Sequence, residues 1–178
     1  MDWWSDAVKI IQNQSINVAL AGGVAASAYA PARYTDDLDL VIKNTDLVLA
    51  SRALLSSGWQ KLSDLELDAG LAGSAWQKQG HEVDLLGLPS KWGSLALTGA
   101  QKNLLIAGLP TLTLPYLVLM KLMASRWIDL EDIGCMLGLT SPPELTAVRR
   151  VIRRFYPREV EDLEQIIAFS QIEFRADV

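Results

Sequence analysis

Apolar positions fall at two different spacings along this chain, and the change between them divides it near residue 114. Before that point, short apolar runs and period-two alternation recur between glycine and proline signals; from Pro115, a good first helical residue, the spacing is helical to the end. Asp2–Gln14 puts Trp4, Val8 and Ile11 on one stripe, with Trp3, Ala7 and Ile10 beside it, predicting a helix that packs on a sheet. Val18–Ala21 is an apolar run of strand length; Gly22-Gly23 and the alanine-rich Val24–Tyr29, suited to a helix, follow at once. A strand resumes at Asp37–Ile42, where Asp37 and Asp39 alternate with Leu38, Leu40 and Ile42. Thr45 caps a helix through Ser56, closed by Gly58, as a crossover between strands. Gly58–Leu62, Ser74–Gln79 and His81–Leu86 are predicted strands, with Gln79-Gly80 as a tight turn. Ser63–Gly73 lies between loop and weak strand, and Lys91–Gln101 has no assignable period. Leu104–Ala107 and Thr111–Leu114 predict a small hairpin around Gly108-Leu109-Pro110.

The second part predicts helices at Pro115–Ser125, Asp129–Leu137, Pro142–Phe155 capped by Ser141, and Pro157–Phe169. Strands early and helices late make the fold class α+β: a small mixed sheet flanked by helices (residues 1–114) with a C-terminal helical region (115–178) packed on it as one unit.

Composition narrows the class. With 178 residues, half of them hydrophobic, the chain can bury a substantial core. No apolar run is long enough to span a membrane and no signal peptide is visible, so cytoplasm is the expected location. Cys135, the single cysteine, cannot form an internal disulfide and is expected to be a small buried hydrophobe. A net charge of −5 argues against a chain built for unspecific nucleic-acid binding.

Candidate chemistry concentrates between Gly22 and Asp39. Residues two apart on a strand share a face, so the Asp37 and Asp39 carboxylates point the same way. Side by side in an apolar strand they repel unless a cation holds them, and Mg²⁺ takes one or two carboxylates together with substrate phosphates. Gly22-Gly23 supplies the phosphate half, since backbone without side chains approaches an anion closely and a helix N-terminus offers free N–H groups. Ser27 is expected to pack or to bond back to the backbone. In the predicted strand His81–Leu86, Glu82 and Asp84 share a face opposite Val83 and Leu85, planting further acid in an apolar strand. His81 is expected at the surface.

The run G-G-x-A-x-x-x-Y-x-x-x-R-x-T-x-D-L-D-L, Gly22 to Leu40, resembles the active-site motif of the nucleotidyltransferase superfamily. The Arg33-x-Thr35-x-Asp37 approach resembles the branch of stand-alone bacterial nucleotidyltransferases and abortive-infection toxins. That resemblance implies a Mg²⁺-dependent enzyme, Mn²⁺ being an alternative, that moves a nucleoside monophosphate from a triphosphate to a hydroxyl. It implies two ions held by Asp37 and Asp39, with Asp84 as the third carboxylate and helper in deprotonating the acceptor; Glu82 is the competitor on the same face. Gly22, Gly23, Arg33 and Thr35 would face the nucleotide, although Arg33 can equally neutralise the acids and Thr35 cap the loop. K-x-x-A-x-R-x-x-D-x-x-D, Lys121 to Asp132, resembles the helical motif of the same branch, in which the lysine lies near the nucleotide; Ile128 stands where an arginine often precedes the aspartate. Taken as one helix, Lys121, Arg126, Asp129 and Asp132 do not share a stripe, and ion pairs that hold the fold explain them as well as nucleotide binding does.

Arg149, Arg150, Arg153 and Arg154 make i,i+4 pairs that either contact nucleic acid or meet acids such as Glu159, Glu161, Asp162 or Glu164. The acceptor (an RNA end, a protein side chain or a small alcohol), the base and an antitoxin partner are open at this level. A non-catalytic nucleotide-binding or regulatory module is the alternative.

Overall fold

Five strands form one mixed sheet in the order β1-β2-β5-β4-β3. A computed structural model describes residues 3–31, 35, 37–67 and 71–175. The strands are β1 (Ala19–Leu20), β2 (Asp37–Lys43), β3 (Gln60–Leu67), β4 (Leu71–Lys78) and β5 (His81–Leu88). The central pair β2/β5 is parallel, while β1/β2, β3/β4 and β4/β5 are antiparallel. Eight α-helices accompany them among the described residues: α1 (Trp3–Gln12), α2 (Gly22–Ala26), α3 (Leu47–Ser56), α4 (Gly93–Ala100), α5 (Leu114–Ala124), α6 (Trp127–Gly138), α7 (Pro142–Phe155) and α8 (Val160–Arg175).

Alternation along the central strands separates a core face from a chemical face. Leu38, Leu40, Val83 and Leu85 are fully buried on one side, where α1 and α3 pack against each other and against β5. Gly87 lies on that side too; a side chain there would strike Asn44 and Leu47 at the start of α3, so its absence lets the helix close on the sheet. Asp37, Asp39 and Asp84 face the other way, towards α2, α5 and α6. Tyr116 of α5 lies between Trp92 and Phe155, with ring centroids 6.1 and 6.5 Å away, which ties α7 to α5.

Several elements differ from their sequence expectation. Ser63–Leu67 and Leu71–Gly73 contribute to two full strands, paired from Gln60↔Gln77 to Leu67↔Leu71, because a cross-strand partner outweighs polar local composition; residues 68–70 lie outside the described residues. Lys91–Gln101 contains α4. The hairpin expected over 104–114 does not form as named strands, although Ile106 and Leu109 make an antiparallel bridge and the Thr111 N–H donates to the Asn103 carbonyl at 2.9 Å. The Leu20 N–H donates to the Pro110 carbonyl and the Leu112 N–H to the Leu20 carbonyl, at 2.8 and 2.9 Å, so the segment also pairs with the open edge of β1. Helix α2 starts at Gly22 and spans five residues, shorter than Val24–Tyr29 suggests; Pro31 downstream disfavours continued helix. A 3-10 turn at Asn44–Asp46 opens α3, so Thr45 does not cap it. Ser141 does cap α7, in a reciprocal capping box with Glu144.

Candidate active site

Parallel pairing of β2 with β5 sets Asp39 directly against Asp84 and Asp37 against Glu82. Asp37, Asp39 and Asp84 line a cleft of about 550 Å³, and Glu82 lies outside it, exposed and bonded by Gln77 at 3.3 Å. The same cleft is lined by Gly22, Gly23, Thr35 and Lys121, so seven of the eight site residues expected from sequence surround one space. The eighth, Arg33, lies outside the described residues, as does Asp36.

Each side chain is held by a specific local feature. The turn after β1 puts Gly22 at φ +58°, a conformation costly for other residues, and a Cβ there would land on the Asp39 carboxylate. Gly22 is thereby required twice, for its backbone and for its lack of a side chain. Its neighbours at the start of α2 carry first-turn N–H groups that no helical carbonyl accepts from. Thr35 donates to the Asp37 carboxylate at 2.9 Å and so orients an acid of the cleft. Ser27 donates to the Val24 carbonyl at 2.7 Å, bonding back to the backbone as expected.

Burial, and after it the crowding of the carboxylates, weakens their acidity. Burial first, then the Asp37 and Asp84 charges, pushes Asp39 up to about 7, against relief from Lys121 and Arg126. Burial, followed by Asp37 and Glu82, raises Asp84 to about 6, with Arg126 pulling the other way. Such a set resists full ionisation at neutral pH. Three carboxylates are hard oxygen donors of the kind a divalent ion takes. Among the described residues no three Asp, Glu, His or Cys side chains are gathered as a preformed metal centre.

Lys121, Arg126, Asp129 and Asp132 meet because the chain breaks between two helices. Ser125 adopts a left-handed conformation (φ +50°), Arg126 is extended, and α6 begins at Trp127. This corner removes the one-helix geometry under which the four share no stripe. The Lys121 ammonium, buried, donates to Asp129 at 3.1 Å and to Asp132 at 2.6 Å. Arg126 grips the other side of Asp129 through Nε at 2.7 Å and Nη2 at 3.2 Å while keeping 70% of its side chain exposed at the cleft. Arg126 is the residue sequence reasoning did not place in the site; its only signal was the K-x-x-A-x-R spacing. Glu66, on the cleft wall from β3, carried no signal at all.

Arg149 makes a bidentate pair with Glu164 of α8 (2.7 and 2.7 Å), one of the acids expected to meet it. Arg150, Arg153 and Arg154 are exposed around a shallow basic concavity that shares no residue with the acidic cleft. Cys135 is partly buried on α6 rather than fully buried, and His81 is exposed as expected.

With these features in place, the fold can be compared with solved ones. No family model and no curated protein sequence matches the chain. Its structural neighbours are nucleotidyltransferases. The solution structure of the antibiotic-resistance factor ANT(2'')-Ia superposes with a TM-score of 0.54 at 12% identity, covering 97% of this chain and 91% of that one. The crystal structure of ANT(2'')-Ia in complex with adenylyl-2''-tobramycin gives 0.51 at 14% identity over 96% of both chains. The chain has a nucleotidyltransferase fold. No helix among the described residues is long and apolar enough to cross a membrane.

Proposed function

We propose that the protein is a Mg²⁺-dependent nucleotidyltransferase that moves a nucleoside monophosphate from a nucleoside triphosphate to a hydroxyl acceptor. The observation that carries this reading is the pairing of Asp39 with Asp84 across β2/β5 inside a cleft that also holds Asp37 and the Gly22-Gly23 turn. Residues 1–114 act as the catalytic core, and 115–178 supply the helical wall that carries Lys121. In the reaction the acceptor oxygen bonds to the α-phosphorus, the bond from that phosphorus to the bridging oxygen breaks, and pyrophosphate leaves. Asp37 and Asp39 would hold Mg²⁺, with Asp84 completing a second site, and the metal when bound would supply charge stabilisation for the entering and leaving oxygens.

The protein's own groups do the rest. Gly22 and Gly23 admit the phosphates against backbone N–H groups. Arg126, with donors still free at the cleft, meets phosphate oxygens, while Lys121 lends positive potential from within its ion pair. Arg33 stands with them as an anion-binding residue, and Thr35 acts through Asp37. Asp84, facing the same cleft, accepts the acceptor's proton. Glu66 adds a further negative charge to the cleft, which favours a neutral or cationic small alcohol over the phosphate backbone of RNA as acceptor. The ANT(2'')-Ia complex, with its adenylylated tobramycin, supports the same acceptor class. A toxin-like role enters only through the Arg33–Asp37 and Lys121–Asp132 motifs. Titration calorimetry with a triphosphate tests the site: binding is expected to require Mg²⁺ and to weaken in Asp39→Asn. Equal affinity with and without the metal, or an unaffected variant, removes the metal from the scheme.

A further inference from the structure

The α5–α6 corner has a second side. Residues along it alternate: Lys121, Arg126 and Asp129 face the acidic cleft, whereas Leu122, Ser125 and Trp127 face a separate groove of about 700 Å³ between α6 and α8. Trp127 and Phe169 are 83% and 73% exposed at its walls, with Leu130 beside them, amounts of bare aromatic surface that a folded chain seldom leaves uncovered. Its rim is acidic. Glu131, Asp162 and Glu173 have no ion-pair partner among the described side chains, Glu159 pairs with Arg158, and no Lys or Arg among the described residues lines the groove.

We infer that this groove docks an amphipathic helix of a protein partner, with apolar anchors along one face and Lys or Arg flanking them. A trough between two helices is the shape a third helix fills, and Gly134, without a side chain, deepens its floor. The charge selects the occupant. An anionic membrane surface is repelled by the rim. A second copy related by a two-fold axis would set acid against acid. The exposed arginines of α7 offer charge without the apolar anchors that Trp127 and Phe169 require. Because Arg126 and Trp127 are consecutive, an occupant that covers Trp127 also braces the corner that presents Arg126 to the cleft.

The test uses the full chain and two fluorescent helical peptides with the same apolar face, one flanked by Lys and the other by Glu. Anisotropy is expected to show the Lys peptide binding at least about tenfold more tightly, with salt narrowing the gap. Phe169→Ala, at an exposed position that leaves the fold intact, weakens it by about tenfold or more. Glu131→Lys with Asp162→Lys reverses the preference. Equal binding of both peptides, a preference that survives charge reversal, or no binding at concentrations on the order of millimolar overturns the inference. Sedimentation showing a dimer lost in Phe169→Ala assigns the groove to a second copy, and Trp127-dependent binding to phosphatidylserine vesicles assigns it to lipid; either result also overturns it.

Discussion

Gly22→Ala separates backbone strain from the close approach of the turn to Asp39. Gly22 has φ +58°, and its missing side chain leaves the space in which the Asp39 carboxylate sits. Gly58, at φ +84° after α3, has nothing within 4 Å of where a Cβ would be. Alanine at Gly58 therefore meets only the left-handed penalty, about 1–2 kcal/mol. Alanine at Gly22 meets that penalty and an overpacking term of about 1–3 kcal/mol, as Asp39 is forced from beside Asp84. Urea unfolding of the metal-free protein reads both losses as shifts of the midpoint at constant slope. In an Asp39→Ala background the two closest clashing atoms are gone, so most of the excess at Gly22 disappears while the Gly58 loss is unchanged. Transfer survives Gly58→Ala and fails in Gly22→Ala. Equal losses at the two glycines, or an excess at Gly22 that persists without the Asp39 carboxylate, refutes the argument that the turn is shaped around that acid.

Three further outcomes follow from the same geometry. Asp39 and Asp84 are raised to about 7 and about 6, so the native state keeps protons that the unfolded chain has released; the stability this contributes is present below about pH 4 and lost as pH rises through 6–7. Asp39→Asn should flatten that loss and raise the melting temperature of the ligand-free protein at pH 8 while abolishing transfer, and an unchanged pH slope contradicts it. Lys121→Met leaves the Asp132 carboxylate buried without its lysine and is expected to cost about 3–5 kcal/mol in urea melts. Arg126→Ala, at a mostly exposed side chain, should cost under about 1 kcal/mol yet weaken binding of a fluorescent triphosphate; similar stability losses at the two positions would show that Arg126 also holds the fold. Arg150→Ala with Arg154→Ala should leave transfer to a small alcohol untouched; an activity that falls steeply with salt, with the slope flattened by this double change, would reinstate RNA as acceptor.

Local pattern determined the parts of this protein whose causes are local. Period-two acids in β2 and β5, the Gly22-Gly23 turn, the Ser141 cap and the change to helical spacing at Pro115 are all features of a few consecutive residues. What only the tertiary structure decided has partners far apart in the chain. Sequence points to Asp84 with Glu82 as its competitor; that Asp84 stands against Asp39 in the cleft while Glu82 stands outside it follows from the parallel register of β2 with β5. Ser63–Leu67 and Leu71–Gly73 became strand because β3 and β4 complete each other's hydrogen bonds, and the segment expected as a hairpin at 104–114 also bonds to the open edge of β1. Lys121, Arg126, Asp129 and Asp132 converge because one left-handed residue, Ser125, turns the chain between two helices. Serine carries no strong signal for that conformation; it is held there by the burial of the helices on either side, an energy summed over the whole core rather than written at the corner itself.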